Sequence, residues 1–262
     1  MSLAEFIATH APALERDEVR HNLILAIMQR ALKGNHPLLT WTLGEPGACA
    51  IKWPGRAIIL GELTREQAAA LAEQTRDLAY EGVVGLEDAP DGFVARASQF
   101  GIAFSEPVNQ RIHVLHPDPI FPQVEGAARE VRAEDGPLLA DWLQAFEEEA
   151  VPEDPPTPRH ALEAAAREGR HVFWTVEGIP VSVASIARRL RSVAAIAPVY
   201  TPPEQRGHRF AAAATAAVAA RLFAEDYRAV CLYTNLANIA ANRCYAKIGF
   251  KGVCDSKLYY RL

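Results

Sequence analysis

A mixed α/β (α+β) fold in two successive halves follows from the patterning of the chain. Apolar residues at helical spacing alternate with short runs rich in Val, Ile, Thr, Phe and Tyr. Hairpin-like strands come early and strand–helix alternation comes late, the signature of a mixed sheet with helices on its faces. A proline-rich stretch without period, HPDPIFPQVEG at 116–126, separates the halves, because its prolines favour extended chain over helix. The expected domains are therefore 1–120 and 121–262.

In the first half, NLILAIMQRALK (22–33) repeats apolar residues at helical spacing and Gly34 stops it. Three strand-like runs follow at 37–43, 48–53 and 56–60, punctuated by Gly and Pro. Thr64 and Gln67 form a capping box ahead of AAALAEQTRDLAY, so a helix starts there. A strand is expected at 82–86, a helix at 91–100 and a strand at 109–116. The second half opens with a strand at 128–133 and the helix PLLADWLQAFEEEA, with Leu138, Trp142, Ala145 and Phe146 on one face. Glu147 to Glu149 read as a solvated face of that helix. A proline-rich break, VPEDPPTPR, is long enough to shape substrate entry. A helix near 158–168, strands at 171–178, 179–189 and 192–201, a long Ala-rich helix, a strand at 228–235, a short helix ending at Gly249 and a strand at 256–262 complete the pattern.

At 262 residues, 50% of them hydrophobic and 23% charged, the composition is that of an ordinary globular protein. A net charge of −5 argues against sequence-independent nucleic-acid binding. No apolar run reaches the ~18–20 residues of a spanning helix, and MSLAEFIATHAPALERDE lacks the apolar core of a signal peptide. A cytoplasmic protein without a membrane partner is expected. Cys49, Cys231, Cys244 and Cys254 make no C-x-x-C pair and no zinc spacing, so free thiols and no metal are expected. His113 and His116 fall on opposite faces of a strand and make a poor metal site.

The block VYTPPEQRGHRFAAAATAAVAARLF (199–223) carries the chemistry. A strand ends at Thr201, a loop carries Arg206-Gly207, and a helix follows with Phe210, Ala214, Val218 and Leu222 as its packing stripe. Such a unit aims the free N–H groups of a helix N-terminus above the strand's end, a site suited to a pyrophosphate.

VYTPPEQRGHRFA resembles the coenzyme A loop of the GNAT acetyltransferase superfamily, V-x-P-x-x-R-G-x-G-x-G/A. It is similar in particular to two-domain bacterial members with a VYTPPE-x-RG loop. LYTNLANIAANRCYAKIGF, downstream, resembles the same group's LYTDLAN-x-x-x-N-x-x-Y-x-x-IG[FY]. The motifs lie between Ser182 and Leu262. The resemblance implies two tandem GNAT-like domains, the first divergent, each a mixed, mainly antiparallel sheet flanked by helices. It implies an acyltransferase that moves an acetyl group from acetyl-coenzyme A, its cosubstrate, to a primary amine.

It also implies roles for residues. Val199, Tyr200 and Thr201 would lie along the pantetheine arm, with a strand N–H near Val199 or Tyr200 holding the thioester oxygen. Arg206, Gly207, His208, Arg209, Phe210, Ala211 and Ala212 would surround the pyrophosphate with backbone N–H groups. Asn238 and Asn242 would approach the pantetheine or adenosine. Tyr245 would be the general acid that protonates the departing thiolate. Other readings of these residues stay open: Tyr245 packing beside Phe250, Asn238 as a helix N-cap, Asn242 as a surface polar group, and His208 as a solvent-facing loop residue.

Arg209 stands where the family has glycine, a position that in some loops takes φ > 0. A side chain there costs about 1–2 kcal/mol if the residue is left-handed. It either obstructs the cofactor or adds charge-assisted hydrogen bonds to phosphate. A second function therefore stays open: a catalytically inactive GNAT-fold sensor or scaffold that binds acyl-coenzyme A or has lost it. A third reading makes the first half an interaction module and leaves a homodimer open.

Overall fold

The structure, a computed structural model of the chain, describes residues 1–34 and 36–262. The first elements are α1 (Leu3–Leu14), α2 (Asn22–Gly34), β1 (Leu39–Thr42), β2 (Cys49–Lys52), β3 (Ile58–Leu60), α3 (Arg65–Gln74), β4 (Gly82–Leu86), α4 (Ala89–Ser98) and β5 (Val108–Leu115). Next come β6 (Ala127–Glu130), α5 (Gly136–Ala150), α6 (Arg159–Ala164), β7 (His171–Val176), β8 (Ile179–Arg189) and β9 (Val193–Tyr200). The chain continues with α7 (Phe210–Ala224), β10 (Ala229–Asn235), α8 (Ile239–Ile248) and β11 (Lys251–Tyr260). The architecture is mixed α/β with mainly antiparallel pairing, as expected.

The chain forms two compact units. The first comprises Met1–His113 with Tyr233–Asn238 and Gly252–Leu262, the second Val114–Leu232 with Ile239–Lys251. Within the first unit β11 pairs antiparallel with β4, Ser256 opposite Leu86 and Tyr260 opposite Gly82.

In the first unit, β2 pairs antiparallel with both β1 and β3, and β3 pairs parallel with β4. Ile58, Leu60, Val83, Leu71 and Phe93 form the core between this sheet and the helices α3 and α4. Helix α3 starts at the expected box: Thr64 Oγ1 accepts from Gln67 N at 3.2 Å, and Gln67 Oε1 accepts from Thr64 N at 2.9 Å. Helix α1 was not expected. It uses the same device, with Ser2 Oγ accepting from Glu5 N and Glu5 Oε2 accepting from Ser2 N.

In the second unit, the strands lie in the order β10-β9-β8-β7-β6. The strands feed two cores, with strict alternation along β7 and the register of β8 and β9 shifted by irregularities. Val172, Trp174, Ala184 and Ile196 meet α7 and α8, whereas Phe173, Val183 and Tyr200 meet α5 and α6. All four expected stripe residues of α7 are buried, with Ala213, Ala214, Ala216 and Ala219 letting the helix lie close to the strands. The buried face of α5 is broader than expected. Leu139, Ala140, Trp142 and Leu143 are buried and Leu138, Ala145 and Phe146 flank them, because α5 packs on both the sheet and α6.

Candidate acyl-coenzyme A site

Strand β9 sets up the site. One edge pairs antiparallel with β8 along its length, Ala194 opposite Arg189 and Tyr200 opposite Val183. The other edge pairs parallel with β10 only from Val193↔Ala229 to Ala195↔Cys231. Among the described residues, no ladder pair continues β9 beyond Ala195 on that side. The edge from Ile196 to Tyr200 is therefore open to main-chain-like partners, and an extended pantetheine arm is one such partner. Ser182, on β8, donates its hydroxyl to Tyr200 O at 3.0 Å and lies 2.8 Å from Thr201 Oγ1, which fixes the strand's end.

A short 3-10 turn at Pro203–Gln205 carries the chain from β9 to the loop. Gln205 N donates to Pro202 O and Arg206 N to Pro203 O. The N–H of Arg206, expected among the pyrophosphate donors, is thus used in the turn. From Gly207 to Ala212 the picture changes. Among the described residues, no hydrogen bond uses these N–H groups, and the first helical bond of α7 runs from Ala213 N to Arg209 O. A run of free N–H groups at the start of a 15-residue helix is an anion site by geometry and by dipole.

Two left-handed residues shape the run. Gly207 has φ +86, and Arg209, the last residue before α7, has φ +66 and ψ +15. The family glycine's position is therefore left-handed here, and Arg209 adopts it with its side chain exposed. His208 is exposed too, its ring stacked on Phe210 at 5.4 Å and 19°.

The Arg206 side chain faces neighbouring protein groups. Its Nε donates to Thr201 O at 2.9 Å, and its Nη2 lies 2.9 and 2.8 Å from the two oxygens of Glu149. Glu148 and Glu149 are exposed and Glu147 is half-buried, so the expected solvated face holds for most of the run, with specific contacts added to it. Glu149 pairs with Arg206, and Glu147 accepts from the N–H and hydroxyl of Thr157, which anchors the proline-rich loop. Tyr200 is pushed above the usual phenol range by burial and then by the Glu149 charge.

Tyr245, on α8, is half-buried against the α7 core, its ring at 5.8 Å and 68° to Phe250. Burial raises its pKa, so the phenol stays protonated at neutral pH. Asn242 is half-buried one turn before it. Asn238 is exposed, clusters with the first unit, and donates its N–H to Asn235 O at 2.9 Å in the turn leading to α8.

No disulfide joins the four cysteines, and burial pushes Cys49 up to about 12 and Cys244 and Cys254 up to about 11, which disfavours the thiolate of those three. His113 is buried on Thr234 Oγ1 at 3.0 Å while His116 is exposed. No helix among the described residues is long and apolar enough to cross a membrane.

The first unit offers a contrast at its own βα turn. Gly61 N donates to Cys49 O, Glu62 N to Gly47 O, and Thr64 caps α3. The N–H groups from Gly61 to Thr64 and those of Gln67 and Ala68 are taken up by the chain itself.

Among curated proteins, none matches this sequence. Solved structures match its fold. A Drosophila protein aligns with a TM-score of 0.70 at 12% identity, over 100% of this chain and 97% of its own. A GCN5-related N-acetyltransferase from Kribbella flavida gives 0.62 at 15% identity, over 92% and 95%. A tandem GNAT protein from the clavulanic acid biosynthesis pathway gives 0.53 at 15% identity, over 86% and 82%. The sequence model of the Acetyltransferase (GNAT) family matches residues 137–250, which span β9, the free N–H run and Tyr245. That segment carries the sequence pattern of the GNAT acetyltransferases, on a fold shared with solved GNAT proteins.

Proposed function

We propose that this chain is an N-acetyltransferase of the two-domain, VYTPPE-x-RG type, moving an acetyl group from acetyl-coenzyme A to a primary amine. The observation that carries the reading is the run of unbonded N–H groups from Gly207 to Ala212, set beside the open edge of β9. The pyrophosphate would take the N–H groups and the pantetheine would run along Val199 to Thr201. The amine nitrogen attacks the thioester carbon, the C–N bond forms, the C–S bond breaks, and the amine's proton leaves to solvent. Tyr245 is the proposed acid that protonates the departing sulfur and then recovers a proton from solvent; its phenol is protonated at neutral pH.

Calorimetric titration with acetyl-coenzyme A tests the binding step, and a dissociation constant on the order of micromolar is expected. The Arg209→Gly variant belongs beside it. Binding by the variant alone would mean that the arginine closes the loop and that the natural protein is a GNAT-derived scaffold. With an amine acceptor in hand, Tyr245→Phe should lower kcat by ~10²–10⁴-fold while acetyl-coenzyme A binding persists. An unchanged kcat would remove the acid role.

A further inference from the structure

We propose that Glu149 is a positioning residue for the acyl-coenzyme A loop, acting through Arg206; this inference rests on the coenzyme A reading given above. Glu149 sits near the C-terminal end of α5, remote in sequence from the loop. Its two carboxylate oxygens receive one guanidinium nitrogen of Arg206 at 2.9 and 2.8 Å. The Nε of the same guanidinium donates to Thr201 O at 2.9 Å. One planar fork therefore joins α5, the end of β9 and the residue that immediately precedes the free N–H run. Beneath it lies the Tyr200 ring, 5.7 Å from the guanidinium carbon and 6.4 Å from the Trp142 ring of α5.

Both charged side chains are about half exposed, 47% for Arg206 and 50% for Glu149. A pair so exposed contributes little to global stability. Its consequence is local. Gly207 is left-handed and has nothing within 4 Å of where a Cβ would stand, so the loop has no packing of its own at that point. The Arg206 fork adds a side-chain anchor to the turn's backbone bonds at the entry to the run, and a preorganised donor array binds more tightly than one ordered on contact.

Simple electrostatics predicts the opposite sign. A carboxylate beside a multiply charged anion repels it, and removing the carboxylate also frees a guanidinium to pair with phosphate. The direction of the effect therefore decides.

The experiment is calorimetric titration of the full chain with acetyl-coenzyme A, comparing wild type, Glu149→Gln, Arg206→Gln, Arg206→Lys and the Glu149→Gln/Arg206→Gln double variant, with a thermal melt of each. Expected are an unchanged melting temperature for Glu149→Gln, a dissociation constant weakened about five- to tenfold, and a double variant no weaker than either single variant. Arg206→Lys, which keeps the charge and loses the fork, should be weakened to the same degree. Wild-type binding with unchanged or tighter binding by Glu149→Gln would overturn the positioning role alone, as would strictly additive losses in the double variant. Failure of the wild type to bind would overturn the coenzyme A reading and this inference together. If Glu149→Gln does not fold, Arg206→Lys carries the same test from the other partner.

Discussion

Arg209 spends stability to occupy its position. An L side chain in the left-handed region costs about 1–2 kcal/mol, and glycine there costs only the extra freedom of the unfolded chain, about 0.5–1 kcal/mol. The first term is larger, so Arg209→Gly should raise stability by about 1 kcal/mol and the melting temperature by about 2–4 °C. A lower melting temperature would mean that the arginine makes a stabilising contact in solution. The need for a positive φ was legible in the sequence, because the resemblance places glycine at this position. The partner of Arg206 was not legible. Glu149 lies 57 residues earlier in a run of acids that reads as solvated face, and only the packing of α5 against β9 brings it to the loop.

At the scale of elements, α3 and α4 make contact through a glycine. Gly92 lies inside α4, and a Cβ built on it would stand 2.3 Å from Arg65 O and 2.7 Å from the Arg65 side chain. Helix propensity alone would favour alanine there by about 1 kcal/mol. The clash is with backbone, which cannot rotate away, so overpacking dominates and Gly92→Ala should lose about 1–3 kcal/mol in a urea melt. A gain in stability would show that the two helices separate freely. Elements that local chemistry marks were readable. The Thr64–Gln67 box starts α3 where the sequence placed it, and strand β4 matches its expected span. Helix α1 escaped notice although Ser2 and Glu5 form the same box, because Pro12 lies inside the helix and obscures its period. The pairing of β11 with β4 was out of reach for a different reason. It joins residues some 170 positions apart, and periodicity carries no register over that distance.

On the scale of the whole molecule, stability is tied to pH through two buried histidines, His10 in the first unit and His171 in the second, whose pKa values burial lowers. In the first, His10 Nδ1 accepts from Gly47 N at 3.1 Å and its Nε2 lies 2.9 Å from Thr42 Oγ1, so both ring nitrogens are committed. Burial lowers its pKa. In the second, His171 lies 2.6 Å through Nδ1 from Ser185 Oγ, its Nε2 has no partner, and burial followed by the Arg170 charge lowers it to about 3. For a histidine depressed in the folded state, the unfolded chain takes up the proton first. The stability it supports is complete above the unfolded value of ~6.5 and is lost progressively as pH falls toward the folded value. The paired carboxylates Asp91, Asp135, Asp255 and Glu225 are also held below their usual range, chiefly by Lys257 and Tyr259, by Arg129, by Arg111 and by Arg189. Their losses begin only below the unfolded carboxylate values near pH ~4. Between pH ~6.5 and ~4.5 His10 loses stability in the same direction, and His171 alone should remove about 2–3 kcal/mol over that interval. Urea melts at pH 7.5, 5.5 and 4.5 check this, with the His171→Asn variant as reference. The variant should be less stable than the natural chain at pH 7.5 and lose less on acidification, so the two curves converge. Parallel curves would mean that His171 takes up its proton in the folded state without penalty, and that acid sensitivity has another source.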